Sequence, residues 1–391
     1  MDLLGFSYSG LEDKYNNWDS PMAYIQVDEK FIFENSEGIS ISDIDVELTC
    51  GFEAGQASYS IFDCYDLITS SFNYKQIKNY SSIGSQVVIS VGYSGKVREV
   101  FRGLIVRTEY VIDEAMAPHV RVTAMDIKSI MMANHYHKKL VSTTYSAAVR
   151  EIMTQAAYTN LTGPTGVITM LNVTDTPDAL TAGADAVESD SSIEMVGESD
   201  YEFIVRAAKK FNYEFFCISG QVLFRPARGD VTTLISLPST TKVLNMNVAY
   251  DITGLVGKVT VRGLDVGKAQ AVSATQRHTY KISTKTSAKS LISDSEYVYV
   301  DPTVTSKIDA SNRCSYLFDE MSYRFGTLDM EIFGLPELIP GRFISIKDFG
   351  SVVSNTFYVK SVHHHFDLEG RFSTRIIGEA QNIQMDMSTM V

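Results

Sequence analysis

None of the four cysteines, Cys50, Cys64, Cys217 and Cys314, stands in a CxxC pair, and their surroundings are dissimilar. Neither a disulfide framework nor a zinc ribbon is implied, and buried thiols are expected. No stretch of about 18 apolar residues occurs, so no membrane anchor is expected. The opening MDLLGFSYSG has neither the basic flank nor the apolar core of a signal peptide. Positive charge is also scarce, with 34 Lys and Arg against 47 Asp and Glu and a formal charge of −13. Proteins that neutralise phosphates need clustered cations, so specific nucleic-acid binding is not expected. An acidic wall would instead repel DNA or acidic cargo moving past it, which suits a conduit.

Catalytic signatures are missing too. There is no G-x-S-x-G, and Gly92-Tyr93-Ser94-Gly95 lacks the spacing of a nucleophile elbow and reads as a hairpin turn. Gly254-Leu-Val-Gly257-Lys258 lacks the first half of a phosphate-binding loop. Paired carboxylates for sugar hydrolysis cannot be picked out from so many acids. The acidic stretch from Asp175 to Asp200 lacks the alternation and central glycine of a calcium loop and reads as a solvated face. His363-His364-His365 attracts a metal reading, but on a strand only His363 and His365 share a face. No third ligand stands nearby in sequence, and the same holds for His135 and His137. Polar strand-surface histidines are the preferred reading, so no catalytic, cofactor-binding or metal residue is assigned and no enzyme is expected.

What is present is material for packed cores. The 391 residues are 45% hydrophobic and 11% aromatic, a length beyond the roughly 250–300 at which one core stops growing. From Met22 to Asp126 the pattern is mostly period two, with candidate strands at Ala57–Tyr65, Gln86–Tyr93, Val97–Tyr110 and His119–Met125. Tyr145, Val149, Ile152, Met153 and Ala156 then mark one helical stripe. The stretch from Thr159 to Glu198 reads as a polar excursion. A capping box, Ser199-x-x-Glu202, opens a helix carrying Phe203, Ala207 and Phe211, followed by a hairpin of Tyr213–Cys217 and Val222–Arg225. Pro226 to Thr241, with two prolines, reads as a linker.

Strands return at Leu244–Thr253, Leu255–Gly263, His278–Ser283, Tyr297–Val300, Thr327–Phe333, Arg342–Lys347, Phe357–Phe366 and Arg371–Gly378. A helix interrupts them near Ser306–Phe325 and stops at Gly326. The hairpin Gly103–Tyr110 with His119–Thr123 parallels Tyr358–His365 with Arg371–Arg375, a hint of duplication.

Several pieces fall in the order seen in phage tail hub proteins, the late-control protein D family and the hub part of type VI secretion spike proteins. They are Val100-Phe-Arg-Gly103-Leu-Ile-Val106, Val122-Thr-Ala-Met-Asp126, Glu198-Ser-Asp200-Tyr-Glu-Phe203 with Ala207, Ala208 and Tyr213, Val259-Thr-Val-Arg-Gly263-Leu-Asp265, Leu338-Ile-Pro-Gly341, and Tyr358-Val-Lys-Ser-Val362 with His364. Asn212 stands where that family usually has glycine. The chain resembles this family over most of its length.

The resemblance implies a mainly β protein with an α/β insert. A first tube-like β-barrel domain would cover 1–135, the insert 136–235, and a second tube-like barrel with an inserted helix 236–391. It implies a baseplate hub of a contractile phage tail, tail-like bacteriocin or other injection system. Such a hub is a homotrimer whose six barrels show pseudo-sixfold symmetry, adapting a threefold spike to a sixfold tail tube and initiating that tube. Its partners would be a trimeric spike protein, supplied as a separate subunit, a tail tube or tube-initiator protein, and other baseplate proteins. It would be made in the host bacterial cytoplasm and end in the baseplate, a virion component outside the cell after release. No cofactor is implied. The alternative is the hub-like part of a tail-tip adhesin or tail-associated protein in a non-contractile phage. A third reading is a hydrolase, including a metal-dependent one using His363 and His365.

Overall fold

The alternation read between Ile39 and Leu48 is a strand whose Ile44, Val46 and Leu48 are buried while Asp45 and Glu47 face the other way. The computed structural model describes residues 5–32, 38–114, 116–178, 193–265, 268–277, 290 and 292–382. Its first strand set comprises β1 (Pro21–Val27), β2 (Ser40–Thr49), β3 (Gln56–Phe62), β4 (Gln86–Tyr93), β5 (Lys96–Val111) and β6 (His119–Met125). Their lateral order is β2-β3-β6-β5-β4-β1, with every neighbour antiparallel.

Next come α1 (Tyr145–Met153), β7 (Met170–Val173), α2 (Asp200–Phe211), β8 (Tyr213–Ile218) and β9 (Gln221–Pro226). Strands β7, β9 and β8 form a small sheet, β7 running parallel to β9. Val149, Ile152, Phe203, Ala207, Phe215 and Phe224 pack into a core of their own. The capping box on α2 is present, Ser199 Oγ accepting from the Glu202 backbone and Glu202 accepting from the Ser199 backbone. The excursion read from Thr159 to Glu198 is not wholly irregular. It holds β7, and Glu194–Glu198 pairs antiparallel with Tyr136–Lys139; residues 179–192 lie outside the described residues.

The second set follows: β10 (Thr233–Leu237), β11 (Val243–Tyr250), then β12 (Lys258–Asp265), β13 (Gln270–Arg277), β14 (Glu296–Val300) and α3 (Lys307–Ser322), and finally β15 (Gly326–Phe333), β16 (Phe343–Ile346), β17 (Thr356–Phe366) and β18 (Phe372–Ala380). Strands β12 to β14 form a separate sheet, and Val259, Val261, Cys314 and Phe318 make the core between it and α3. This unit lies between β11 and β15, which pair with each other, so the interruption is more than the single helix expected. The strand expected at His278–Ser283 lies outside the described residues. The proposed linker also needs correction. Within it β10 runs parallel to β16 inside the large sheet, because Leu234, Ile235 and Leu237 are an apolar run that is fully buried.

Strands β11, β15, β18, β17, β16 and β10 lie side by side in that order. Numbered along the chain, both sets therefore read second-third-sixth-fifth-fourth-first. The sets differ at one neighbour: β10 runs parallel to β16, whereas β1 runs antiparallel to β4. A bulge breaks the pairing of the fifth and sixth strands at the same point in each set. Arg107 faces Thr123 and Ile105 faces Ala124, passing over Val106; Ser361 faces Ile377 and Val359 faces Gly378, passing over Lys360. From Arg107 to Ser361, and from Thr123 to Ile377, the step is 254 positions. The repeat seen in the sequence is thus present in a different register: Leu104, and not Gly103, corresponds to Tyr358, and His119 corresponds to Ser373, not to Arg371.

Closed barrels are not found. Among the described residues neither set closes on itself, and both belong to one continuous 14-stranded sheet. In the first set the outer edge of β2, from Ile44 to Thr49, is instead hydrogen-bonded to β17 from Phe366 to Ser361, and in the second, among the described residues, β11 pairs with β15 and not with β10. The protein is mainly β with several sheets, and one hydrophobic core runs through both sets, from Val46 and Ile89 to Met330 and Ile376.

Asn212 explains its departure from glycine. It caps α2 in the left-handed region (φ 56°), where asparagine is tolerated, and its Nδ2 donates to Asp319 Oδ2 on α3 at 2.7 Å. Replacing Asn212 with Ala should destabilise the fold by about 1 kcal/mol or more, because a left-handed alanine is strained. Asn212→Gly should keep the cap and lose only the Asp319 bond. Chemical denaturation of both variants checks the order: Asn212→Ala below Asn212→Gly.

Candidate functional site

Strand β17 joins the two sets. Along one edge it pairs with β18 throughout; along the other it pairs first with β16 and then, from Ser361 to Phe366, with β2. Val362 and His364 turn into the core, while His363 and His365 turn to the opposite face. There His365 lies opposite Asp45 and His363 opposite Glu47. The Asp45 Oδ1 is 2.7 Å from His363 Nε2 and 2.8 Å from His365 Nδ1. Burial pushes the Asp45 carboxyl up, but the two imidazole hydrogen bonds outweigh it and hold the group well below the usual carboxylate range. The hydrogen bond to Asp45 in turn raises His365. His364 is a core histidine: burial pushes it down to about 3, and its Nδ1 lies 2.9 Å from Thr374 Oγ1.

Asp45 is the group that sequence spacing could not supply, being 318 positions from His363. Among the described residues, Asp45, His363 and His365 are the one set of three or more potential metal ligands within reach of each other. His135 and His137 are exposed elsewhere, on the insert, with His135 Nδ1 3.4 Å from Glu202 Oε2. All four cysteines are free and buried, and burial pushes the Cys50 thiol up to about 12, which leaves it unreactive at neutral pH.

The motif residues act as clamps between parts. Asp126 accepts from the backbone of Gly55 (2.8 Å) and of Lys128 (2.9 Å), locking the end of β6. Buried Asp200, at the start of α2, accepts from Tyr136 (2.6 Å) and Asn134 (3.1 Å) and also from Tyr158. Glu214 on β8 accepts from Arg225 Nε at 2.7 Å and from the Tyr358 hydroxyl on β17, tying the insert to the second set. Burial pushes Glu214 up, against the pull of Arg225. Arg225 also donates to the Gly341 carbonyl at 2.6 Å. Gly341 has φ 77°, and a Cβ there would stand 2.6 Å from the Phe216 ring, so only glycine fits.

At the other side of the junction an aromatic cluster of Tyr15, Trp18, Tyr93 and Phe372 bridges the sets. Tyr93 donates to the Gly334 carbonyl at 2.9 Å, and buried Glu337 accepts from Lys14 and Tyr15 at 2.7 Å each.

Among the sheet edges without a strand partner in the described residues, two belong to the duplicated strand sets at corresponding places. One is the outer edge of β11, which pairs only with β15; the other is the Arg107–Val111 end of β5, beyond its pairing with β4. Exposed Tyr110 and Ile112 lie at the second edge, and Phe72, whose ring is 5.1 Å from Tyr110, belongs to a hairpin displaying Leu67 and Ile68.

The sequence matches no protein-family model and no curated protein. Solved structures do share the fold. A tail protein from Neisseria meningitidis MC58 superposes with TM-score 0.63 at 10% identity, over 93% of this chain and 98% of that one. The 43 kDa tail protein of prophage MuSo2 from Shewanella oneidensis gives 0.63 at 13%, over 94% and 100%. An Escherichia coli component of the type VI secretion system, described as similar to the T4 bacteriophage tail proteins gp27 and gp5, gives 0.51 at 9%, over 90% and 76%. At these identities the shared property is the fold, and it is that of phage tail proteins.

Tyr358→Phe should cost about 1–3 kcal/mol, since buried Glu214 loses a donor. The measurement is an unfolding curve, with Tyr297→Phe, a surface tyrosine on β14, as the control that should not move.

Proposed function

We propose that the protein is a structural hub in the baseplate of a phage tail or related injection particle, working as a homotrimer that adapts a threefold spike to a sixfold tube. The residue ranges 1–135, 136–235 and 236–391 are the proposed building units, the first and last supplying the ring and the middle one its periphery. A spike, a tube or tube-initiator protein and other baseplate proteins are the proposed partners. The relatives named above support the setting. The observation that carries the assembly is that the duplicated strand set is already joined to itself once within the chain.

That internal junction supplies a rule for the next one. It lays the fifth strand of one set, Ser361–Phe366, along the second strand of the other, Ile44–Thr49. The counterpart of Ser361–Phe366 is Arg107–Ile112. The counterpart of Ile44–Thr49 is Met246–Asp251, because Val46 faces Ala57 as Val248 faces Leu328, and Ala57 faces Ala124 as Leu328 faces Gly378. Both counterparts are the unpartnered edges described above. Placing Arg107–Ile112 of one copy along Met246–Asp251 of the next sets Arg107 opposite Asp251, Tyr110 opposite Val248 and Ile112 opposite Met246. Opposite charges and apolar pairs meet, and repetition closes a ring in which both of these edges are covered. The absence of hydrogen bonds closing each set alone fits this arrangement, since the edges are used between sets.

Sedimentation of the purified chain should give three copies at micromolar concentration. Asp251→Arg should shift the mass toward one copy with little change in the circular dichroism spectrum, and Arg107→Asp added to it should restore the larger mass. A single-copy mass for the native chain, or charge reversals that leave a trimer untouched, would refute this interface.

A further inference from the structure

The face of the internal junction carries a ligand set that the duplicated fold does not require. Asp45, His363 and His365 converge with both imidazoles aimed at one carboxylate oxygen, at 2.7 and 2.8 Å. At the counterpart positions stand Asn247, Glu109 and Val111, which would bring no imidazole to the junction between copies. Hydrogen bonding to Asp45 holds the two imidazoles around one oxygen, which brings three potential ligand atoms within reach of a single ion. Here two strands deliver them: His363 and His365 by the two-residue repeat of β17, and Asp45 by its place directly opposite His365. Asp43, in the left-handed region at φ 54° where the β2–β3 register shifts, and Asp367 both act electrostatically on His365, so the surroundings are negative.

We propose that Asp45, His363 and His365 form a binding site for one divalent transition cation, zinc being the archetype, that clasps the two strand sets together. Two imidazole nitrogens and a carboxylate oxygen match the ligand preferences of zinc, nickel and cobalt. Ligand distances of about 2.0–2.2 Å to such an ion require the three atoms to part only slightly. The side chains of His363, His365 and Asp45 are 40%, 35% and 29% exposed, which leaves room for water to complete the coordination. On binding, the proton that each of these nitrogens shares with Asp45 moves to the other ring nitrogen or leaves to solvent, and His363 Nε2 and His365 Nδ1 each present a lone pair to the ion in place of the hydrogen bond to Asp45. The ion then links β2 and β17, the one strand pair joining the two sets within the large sheet. Because the counterpart junction lacks the ligands, the stoichiometry is one ion per chain, at alternate junctions of any ring. This inference does not depend on the ring: it concerns contacts inside one chain.

The test uses the full chain, stripped with a chelator and titrated with zinc chloride alone. Calorimetry should give one site per chain, and the unfolding temperature should rise with zinc. Asp45→Asn and His365→Gln should each weaken binding at least tenfold and remove the thermal shift, while His137→Gln changes neither. Cobalt(II) added to the native chain should give the intense visible bands of a four- or five-coordinate site, a readout that needs no variant to fold. Binding that His137→Gln reduces as much as Asp45→Asn, or cobalt that stays in its hydrated form at equimolar protein, would overturn the proposal.

Discussion

The hydrogen bonds between β2 and β17 are the constraint on which the rest of the architecture depends. A strand has two edges, and once Ile44–Thr49 bonds to Ser361–Phe366 the first set cannot close around itself through β2. The same pairing forces the apolar face of both sets to be continuous, so Val46 and Val362 lie in one core with residues of each half. The insert then has a fixed surface to dock on, and Glu214, Arg225 and Gly341 fit only against a β17 held in that position.

Local features were legible in the sequence where the signal is local. The capping box at Ser199 and Glu202 and the hairpin of β8 and β9 depend on neighbours within a few residues, and they stand where the pattern placed them. What was not legible is long-range. Asp45 and His365 meet across 320 positions, and nothing in either neighbourhood marks the other. Strand β10 was hidden because its apolar run is short and set between proline-bearing polar residues; its partners, not its propensity, make it a strand. The repeat was visible but misaligned, by one residue in its first strand and by two in its second. Bulges at Val106 and Lys360 occupy a position without a partner, and an eye that pairs alternating hydrophobics does not see it.

The motifs shared with tail hub proteins also acquire physical meanings. Asp126 and Asp200 satisfy backbone and hydroxyl donors where a strand or helix must start or stop, and Gly341 permits a close approach. They specify how parts of the chain dock on one another.

The two junctions of the proposed ring share geometry but face opposite demands. The internal one forms as the chain folds, at the high effective concentration of linked segments, and can bury Val46 and His364 without risk. The external one must stay exposed until a second copy arrives, and an open apolar edge would invite indiscriminate pairing. Along β11 the exposed positions include Asn245, Asn247 and Ala249, and Arg107 and Glu109 flank the matching edge of β5. Polar Asn245, Asn247, Arg107 and Glu109 are therefore interspersed with exposed Leu244, Tyr110 and Ile112 along the waiting edges, and Tyr110 meets Val248 in the matching register. The histidine–aspartate cluster falls on the junction that never opens, where a bound ion would stiffen a permanent contact without slowing assembly.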